Sequence, residues 1–210
     1  MSKGRFITIE GVEGVGKSTN IELIESLLDA RGISHITTRE PGGTQLSEKV
    51  RTLLLDKHDS NMCDMTELLL MFAARTQHVQ ELIKPALENG DWVICDRFTD
   101  SSYAYQGAGR EMGKDPVAVL EKIALADFRP DMTLLLDLPV AVGLERAKIR
   151  GEFDRIESAG IEFFIRVRQC FLDRAAQSDR FRVIDANQSL DKVQAQISKI
   201  VQTCIRDWQE

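Results

Sequence analysis

The 210-residue sequence predicts an α/β fold, a mainly parallel sheet with helices on both faces, and three observations carry that expectation. Short, almost wholly apolar runs rich in β-branched residues read as strands buried on both sides. Segments with apolar residues at three- and four-residue spacing follow them in regular alternation. Glycines stand directly after the first strand and beyond the first helical stripe, where the chain must turn sharply.

Residues 5–10 form the first strand, and Gly11, Gly14 and Gly16 turn the chain out of it. From Lys17, the spacing of Ile21, Ile24, Leu27 and Leu28 predicts a helix that Gly32 terminates. Residues 34–38 read as the second strand and 46–55 as a helix. Residues 64–89 carry one long stripe through Met65, Leu68, Leu69, Phe72, Val79, Leu82, Ile83, Ala86 and Leu87. Residues 91–96 form the third strand, and the polar stretch after it is expected to run into a Gly-x-Gly turn at Gly107 and Gly109. A helix over 116–128, a fourth strand over 133–137 and a helix from Pro139 to near Gly151 follow. Phe164, Val167 and Phe171 mark another helix, 181–185 the fifth strand, and the stripe from Val193 to Trp208 a final amphipathic helix. Repeats, low-complexity tracts and linkers are absent, so 1–210 is expected to be a single domain. Ligands in such sheets collect beyond the carboxyl ends of the strands.

Composition narrows the function. Twenty-seven basic against 33 acidic residues leave a net charge of −6, which argues against a nucleic-acid polymer as partner. A bilayer-spanning run of about 20 apolar residues is missing, so membrane insertion is not expected. Cys63, Cys95, Cys170 and Cys204 lie far apart, as do His35, His58 and His78, which gives neither a zinc pattern nor a disulfide framework. A reducing, cytoplasmic location is the expectation.

The chemistry concentrates in a few segments. Gly11-Val12-Glu13-Gly14-Val15-Gly16-Lys17-Ser18 has the glycine spacing of a phosphate-binding loop, with a strand before it and a helix after it. Its backbone N–H groups turn inward on phosphate oxygens, and the helix N-terminus adds its positive dipole end. Lys17 reaches the β- and γ-phosphates and Ser18 ligates Mg²⁺ in that arrangement. ATP is thereby expected with Mg²⁺, and the short chain favours a small kinase over a motor. Arg75 stands on an otherwise apolar helix stripe, which requires either an ion pair or a cavity beside it. Asp96-Arg97 closes the third strand, where Asp96 can hold Mg²⁺ or its water or orient the attacking oxygen, and Arg97 can fork onto an acceptor phosphate.

Taken together these segments resemble the bacterial thymidylate kinases of the type whose lid, not its phosphate loop, supplies the catalytic arginine. The resemblance rests on Ile9 to Thr19, Thr38-Arg39-Glu40-Pro41-Gly42-Gly43-Thr44, Phe72-Ala73-Ala74-Arg75, Asp96-Arg97-Phe98 with Ala104-Tyr105-Gln106-Gly107, and Asp154-Arg155-Ile156-Glu157. It implies a phosphate-loop NTPase fold, with a five-stranded sheet in the order 2-3-1-4-5, and transfer of the ATP γ-phosphoryl group to thymidine 5′-monophosphate. It implies that Gly11 through Thr19 bind ATP, that Glu13 faces the acceptor sugar's 3′-hydroxyl, and that Arg97 and Arg51 hold the acceptor phosphate with Glu40 organising that end. By the same resemblance Arg75 reads a thymine carbonyl, Ser102 the ring N3 side, Gln106 approaches the base, and Tyr105 crowds the 2′ position. Asp185-Ala186-Asn187 resembles the adenine-side loop, and a homodimer is implied.

Two points stay open on the sequence. Where the family usually carries a base-stacking aromatic, four residues before Arg75, this chain has Met71, and Phe72 comes one later; either is a candidate base contact. Gly14 occupies the place of the phosphate-loop arginine found in the other type, so Arg150 or Arg155 of a lid over 146–157 is the candidate transition-state cation, with Gly151 as its hinge. Two rivals remain: a small kinase for another monophosphate, and a nucleotide-binding module without transfer activity.

Overall fold

Five short runs rich in branched side chains pair into one parallel sheet in the order β2-β3-β1-β4-β5, in the computed structural model that describes residues 4–56, 62–150, 154–156 and 158–209. The strands are β1 (Phe6–Glu10), β2 (His35–Arg39), β3 (Trp92–Asp96), β4 (Met132–Asp137) and β5 (Phe181–Asp185). The side chains of Arg150 and Gln209 lie outside that description. Register places Ile9 opposite both Asp96 and Leu134, so Glu10, Arg39, Asp96, Asp137 and Asp185 end on one edge of the sheet.

Side chains alternate across the sheet with the period of two that a strand dictates. Phe6, Val93 and Cys95 pack on one face with Val79, Ile83 and Leu125. Ile7, Ile9 and Ile94 pack with the helices α1 (Lys17–Asp29), α8 (Ile161–Ala175) and α9 (Leu190–Gln209) in the larger core. Thr8 and Thr133, buried at the centre, satisfy each other through their hydroxyls at 2.8 Å. The remaining helices are α2 (Gln45–Leu55), α3 (Asp64–His78), α4 (Lys84–Asn89), α5 (Thr99–Ser102), α6 (Lys114–Leu125) and α7 (Val140–Arg150). Among the described residues, no helix is long and apolar enough to cross a membrane.

Two elements depart from expectation. The long stripe over 64–89 is continuous but not uniform: α3 passes through a π-helical turn (Val79–Ile83) into α4. Pro85 in the first turn of α4 has no N–H and clashes with the carbonyl four residues back, which a widened turn relieves. The stripe's face also differs, because Met65 and Leu69 are exposed whereas Glu67, Met71, Arg75 and His78 are buried. The second departure follows β3, where α5 runs into another π-helical turn (Tyr103–Gly109) instead of a loop ending in a Gly-x-Gly turn. Neither Gly107 nor Gly109 has a positive φ. Gly109 instead permits contact, since a Cβ there would lie 2.5 Å from the Phe163 ring.

Candidate active site

The loop after β1 is shaped by backbone that only glycine adopts easily. Gly11, Gly14 and Gly16 have φ of 141°, 72° and 88°. A Cβ on Gly14 would stand 2.1 Å from the carbonyl oxygen of Gly143 on α7, so the loop and that helix touch backbone to backbone. Gly16 caps α1 without a side-chain hydrogen bond, which leaves N–H groups of the first turn open to an anion. Lys17 leads that turn, while Ser18 and Thr19 are exposed beside it. Burial, reinforced by Arg97, pushes the Lys17 ammonium below its ordinary pKa, against the pull of Asp96, whose Oδ1 is 3.9 Å away.

A cleft of about 370 Å³ opens at the sheet edge beside this loop. Its lining joins Glu13, Lys17, Asp96 and Arg97 to Glu40, Arg51, Met71, Arg75, Ser102, Tyr105 and Gln106, all singled out from the sequence. Met71 forms part of the wall, and Phe72 does not. Phe72 packs behind it with Leu68, Tyr103 and Val117, because its helix position faces α6, and this corrects its reading as a base contact. Its ring does lie 4.8 Å from the Arg75 guanidinium, beneath that cation.

Arg155 is likewise not a free cation facing the phosphate loop. Its Nε donates to the Leu54 carbonyl at 2.9 Å and its Nη2 to Glu67 at 2.7 Å. This corrects its placement as a transition-state arginine, because a buried carboxylate holds the guanidinium elsewhere. The Arg150 side chain and Gly151 lie outside the described residues.

Arg97 sits in left-handed backbone with φ 70°, unusual for a residue with a side chain. Its Nη1 donates to the Gly11 carbonyl at 2.9 Å and to Ser101 Oγ at 3.2 Å, and Nη2 to Glu13 Oε1 at 3.0 Å. Three of the five guanidinium protons are thus engaged, and two remain for a ligand. Burial works against its charge, but Tyr105, Glu13, Asp96 and Glu10 together raise its pKa further, so the cation is permanent. Tyr105 donates its hydroxyl to the same Glu13 oxygen at 2.7 Å, and burial pushes that phenol well above its usual range. Among the described residues, Glu13 Oε2 and Asp96 Oδ1 are buried without a hydrogen-bond partner. Such oxygens call for a ligand.

Glu10 underlies this corner. Its two oxygens accept from the Phe98 N–H at 2.8 Å and the Ser101 hydroxyl at 2.6 Å, which pins the turn that carries Arg97. Burial and the neighbouring Asp100 raise its pKa to about 7, with Arg97 and the two hydrogen bonds opposing.

At the opposite end, Arg75 donates Nε to Glu40 at 2.6 Å, Nη1 to Ser102 at 2.9 Å and Nη2 to the Phe98 carbonyl at 3.0 Å. Both requirements for an arginine on that stripe are therefore met, an ion pair and a cavity. Arg51 donates to the Pro41 carbonyl at 2.7 Å. Gln106 donates Nε2 to Glu67, which also receives Arg110 and Arg155. Burial alone would push the Glu67 carboxyl up, but Gln106 and the two arginines outweigh it and hold its pKa low.

Glu10, Glu67 and Ser101 are the contributors that sequence reasoning missed. A signal existed for Glu67: Glu67, Met71 and Arg75 follow at intervals of four, which is one helix face, and only its polar character hid it. Among the described residues no group of three or more His, Cys, Asp or Glu side chains forms a metal cage. A magnesium ion carried on phosphates needs only one or two protein oxygens, and Asp96 Oδ1, which accepts no hydrogen bond among the described residues, with exposed Ser18 fits that demand.

Comparison with known proteins shows the family. Residues 9–197 match the family model described as thymidylate kinase. The chain is similar to the thymidylate kinase of Alcanivorax borkumensis, 52% identical over 200 residues that cover 95% of this chain and 96% of that one. It is similar to that of Ectopseudomonas mendocina, 53% identical over 199 residues, covering 94% and 95%. Among solved structures, the thymidylate kinase from Ehrlichia chaffeensis is similar with a TM-score of 0.75 at 35% identity, over 95% of this chain and 99% of that chain.

Proposed function

Since the chain belongs to the thymidylate kinase family, we propose that this cleft is where it transfers the γ-phosphoryl group of ATP to thymidine 5′-monophosphate. The products are ADP and thymidine diphosphate, on the route to thymidine triphosphate. One observation carries the reading: two anion sites, Lys17 with the α1 N-terminus and Arg97 with Arg51, border the same cleft as a deeper hydrogen-bonding end.

Each residue has a task. Gly11 through Thr19 hold the ATP phosphates on backbone N–H groups, and Lys17 follows charge onto the transferred group. The two free N–H donors of Arg97, with Arg51, take the acceptor phosphate and hold its oxygen in line. Glu13 Oε2, otherwise unpartnered, accepts the sugar 3′-hydroxyl. Tyr105, fixed by Glu13, crowds the 2′ position and rejects the ribose form. The remaining donors of Arg75 take a thymine carbonyl, Ser102 meets the N3 side, Gln106 approaches the base, and Met71 packs against the ring through its polarizable sulfur. Asp96 and Ser18 would hold Mg²⁺, which when bound neutralises charge shared by the β- and γ-oxygens. Arg150 supplies the lid cation, because Arg155 is engaged by Glu67. Asp185-Ala186-Asn187 borders the adenine.

We place the enzyme in the cytoplasm, which suits its four free cysteines, and as a homodimer. Support for the dimer comes from exposed Leu46 and Leu53 on α2, Met65 and Leu69 on α3, and Val119 and Ile123 on α6. These helices pack side by side in the order α2, α3, α6.

The test is ADP release from ATP and Mg²⁺ with thymidylate, deoxyuridylate, cytidylate or adenylate supplied in turn. Thymidylate should stimulate most. Stimulation by cytidylate alone would overturn the substrate, and stimulation by no acceptor would favour a nucleotide-binding module.

A further inference from the structure

A buried line of polar groups leads from β2 to the base end of the cleft, and one of its members touches no cleft surface. His78, on the last turn of α3, is 0% exposed, and nothing in the reaction described above uses it. Its Nδ1 lies 3.0 Å from Glu40 Oε1, and its Nε2 lies 2.7 Å from Thr38 Oγ1. The second oxygen of Glu40 receives Arg75 Nε at 2.6 Å. We propose that His78 is a positioning residue for base recognition: its Nδ1 proton fixes the Glu40 carboxylate, which in turn aims Arg75. The inference rests on the reading of Arg75 as the group that meets the thymine carbonyl.

The proton's place follows from the partner. An ionised carboxylate paired with a guanidinium has no proton to offer, so the ring nitrogen facing it must be the donor. In the neutral ring Nε2 is then the acceptor, and the Thr38 hydroxyl turns its proton toward it. The ring cannot drift, because Gly43 lies against it; a Cβ there would stand 2.4 Å from Nε2 and 2.6 Å from Thr38 Oγ1.

Arg75 is held at three points. Two of them, Ser102 and the Phe98 carbonyl, belong to the segment after β3. The third is Glu40, a side chain from the β2–α2 connection whose orientation depends on what holds its other oxygen. Remove the His78 donor and that oxygen is buried without a partner. The carboxylate then turns toward other donors, and the guanidinium turns with it.

The experiment compares the full-length wild-type enzyme with His78→Gln, His78→Asn and Arg75→Ala. Asparagine sets its amide N–H near the place of Nδ1, whereas glutamine reaches toward the place of Nε2. His78→Gln should raise the thymidylate KM by about tenfold, the worth of a hydrogen bond to a charged group, with kcat and the ATP KM changing less than about twofold. Its preference for thymidylate over deoxycytidylate should fall by a similar factor. His78→Asn should recover most of both losses, and Arg75→Ala should lose at least as much as His78→Gln. If Arg75→Ala leaves the thymidylate KM unchanged, the base-reading assignment itself is wrong. If Arg75→Ala acts but His78→Gln does not, or if His78→Gln lowers the melting temperature and impairs both substrates alike, His78 serves packing only and the proposal falls. Nitrogen-15 NMR of the wild-type ring, assigned by the signals lost in folded His78→Asn, tests the same point on the wild-type protein itself. A proton on Nδ1 supports the proposal, and a neutral ring protonated on Nε2 overturns it.

Discussion

At the scale of single residues, the corner around Arg97, where we propose that the acceptor phosphate binds, is a set of opposed costs that a ligand would complete. Arg97 holds a left-handed backbone, Glu13 keeps one oxygen unpartnered, and Glu10 is a carboxylate in a site that favours its neutral form. Arg97→Ala removes the two donors left for phosphate, and kcat should fall by about 10²–10³, the usual cost of losing a preorganised charge-stabilising donor. The ATP KM should stay near its wild-type value in the same steady-state assay; a parallel loss of ATP affinity would move Arg97 out of the acceptor site. Glu10 makes a pH-dependent prediction. Its folded pKa of about 7 exceeds the ordinary 4.5, so the folded state binds the extra proton between those values. Stability from this group is therefore present at low pH and lost as pH rises toward 7. Glu10→Gln keeps an acceptor for Phe98 and cannot ionise. Its stability relative to wild type, from urea unfolding, should rise by about 3 kcal/mol between pH 4.5 and 8; a pH-independent difference would mean that Glu10 ionises normally. The site was legible in the sequence where a motif joined chemistry to special backbone, as in Gly11 to Ser18 and Asp96-Arg97. Glu10, Glu67 and His78 were illegible because a polar residue in an apolar run looks the same whether water or a buried partner satisfies it.

At the scale of elements, the strands were read almost to the residue, since a central parallel strand is apolar on both faces and short runs of that kind have few other uses. The failures have a different physics. Gly107 and Gly109 suggested a turn, but glycine also serves where two elements must touch, and sequence does not distinguish the two. Gly143 shows the same ambiguity on α7. It has ordinary helical backbone, where alanine would be favoured by about 1 kcal/mol on propensity alone. Its Cβ, however, would stand 2.5 Å from the Glu13 carbonyl oxygen, a backbone atom of the phosphate loop that cannot move without carrying the loop with it. The clash wins. Gly143→Ala should lose about 1–3 kcal/mol of stability and raise the ATP KM more than the thymidylate KM. A stabilised variant with unchanged ATP binding would show that the loop and α7 are not in contact.

At the scale of the whole molecule, a net charge of −6 coexists with Lys17, Arg39, Arg51, Arg75 and Arg97 around one cleft, which suits capture of a nucleotide monomer over a polymer. The same helix that builds the cleft wall explains why its stripe was misread. On α3, Glu67, Met71, Arg75 and His78 face inward beside Leu68 and Phe72, while Met65 and Leu69 are apolar and exposed, so the hydrophobic pattern mixed core positions with an outer surface. Leucine 50% exposed on α3 beside isoleucine 77% exposed on α6 is costly to leave in water, and a second copy of the chain is the proposed cover. Leu69→Lys should then place a charge in that covered surface and shift the enzyme from dimer to monomer in sedimentation velocity at micromolar concentration. Because Leu69 and Met71 share one helix, the monomer should also lose rigidity in the cleft wall and show a raised thymidylate KM with less change for ATP. A wild-type protein that sediments as a monomer, or a Leu69→Lys variant that remains dimeric, would remove α3 from the interface and leave its apolar face to some other partner.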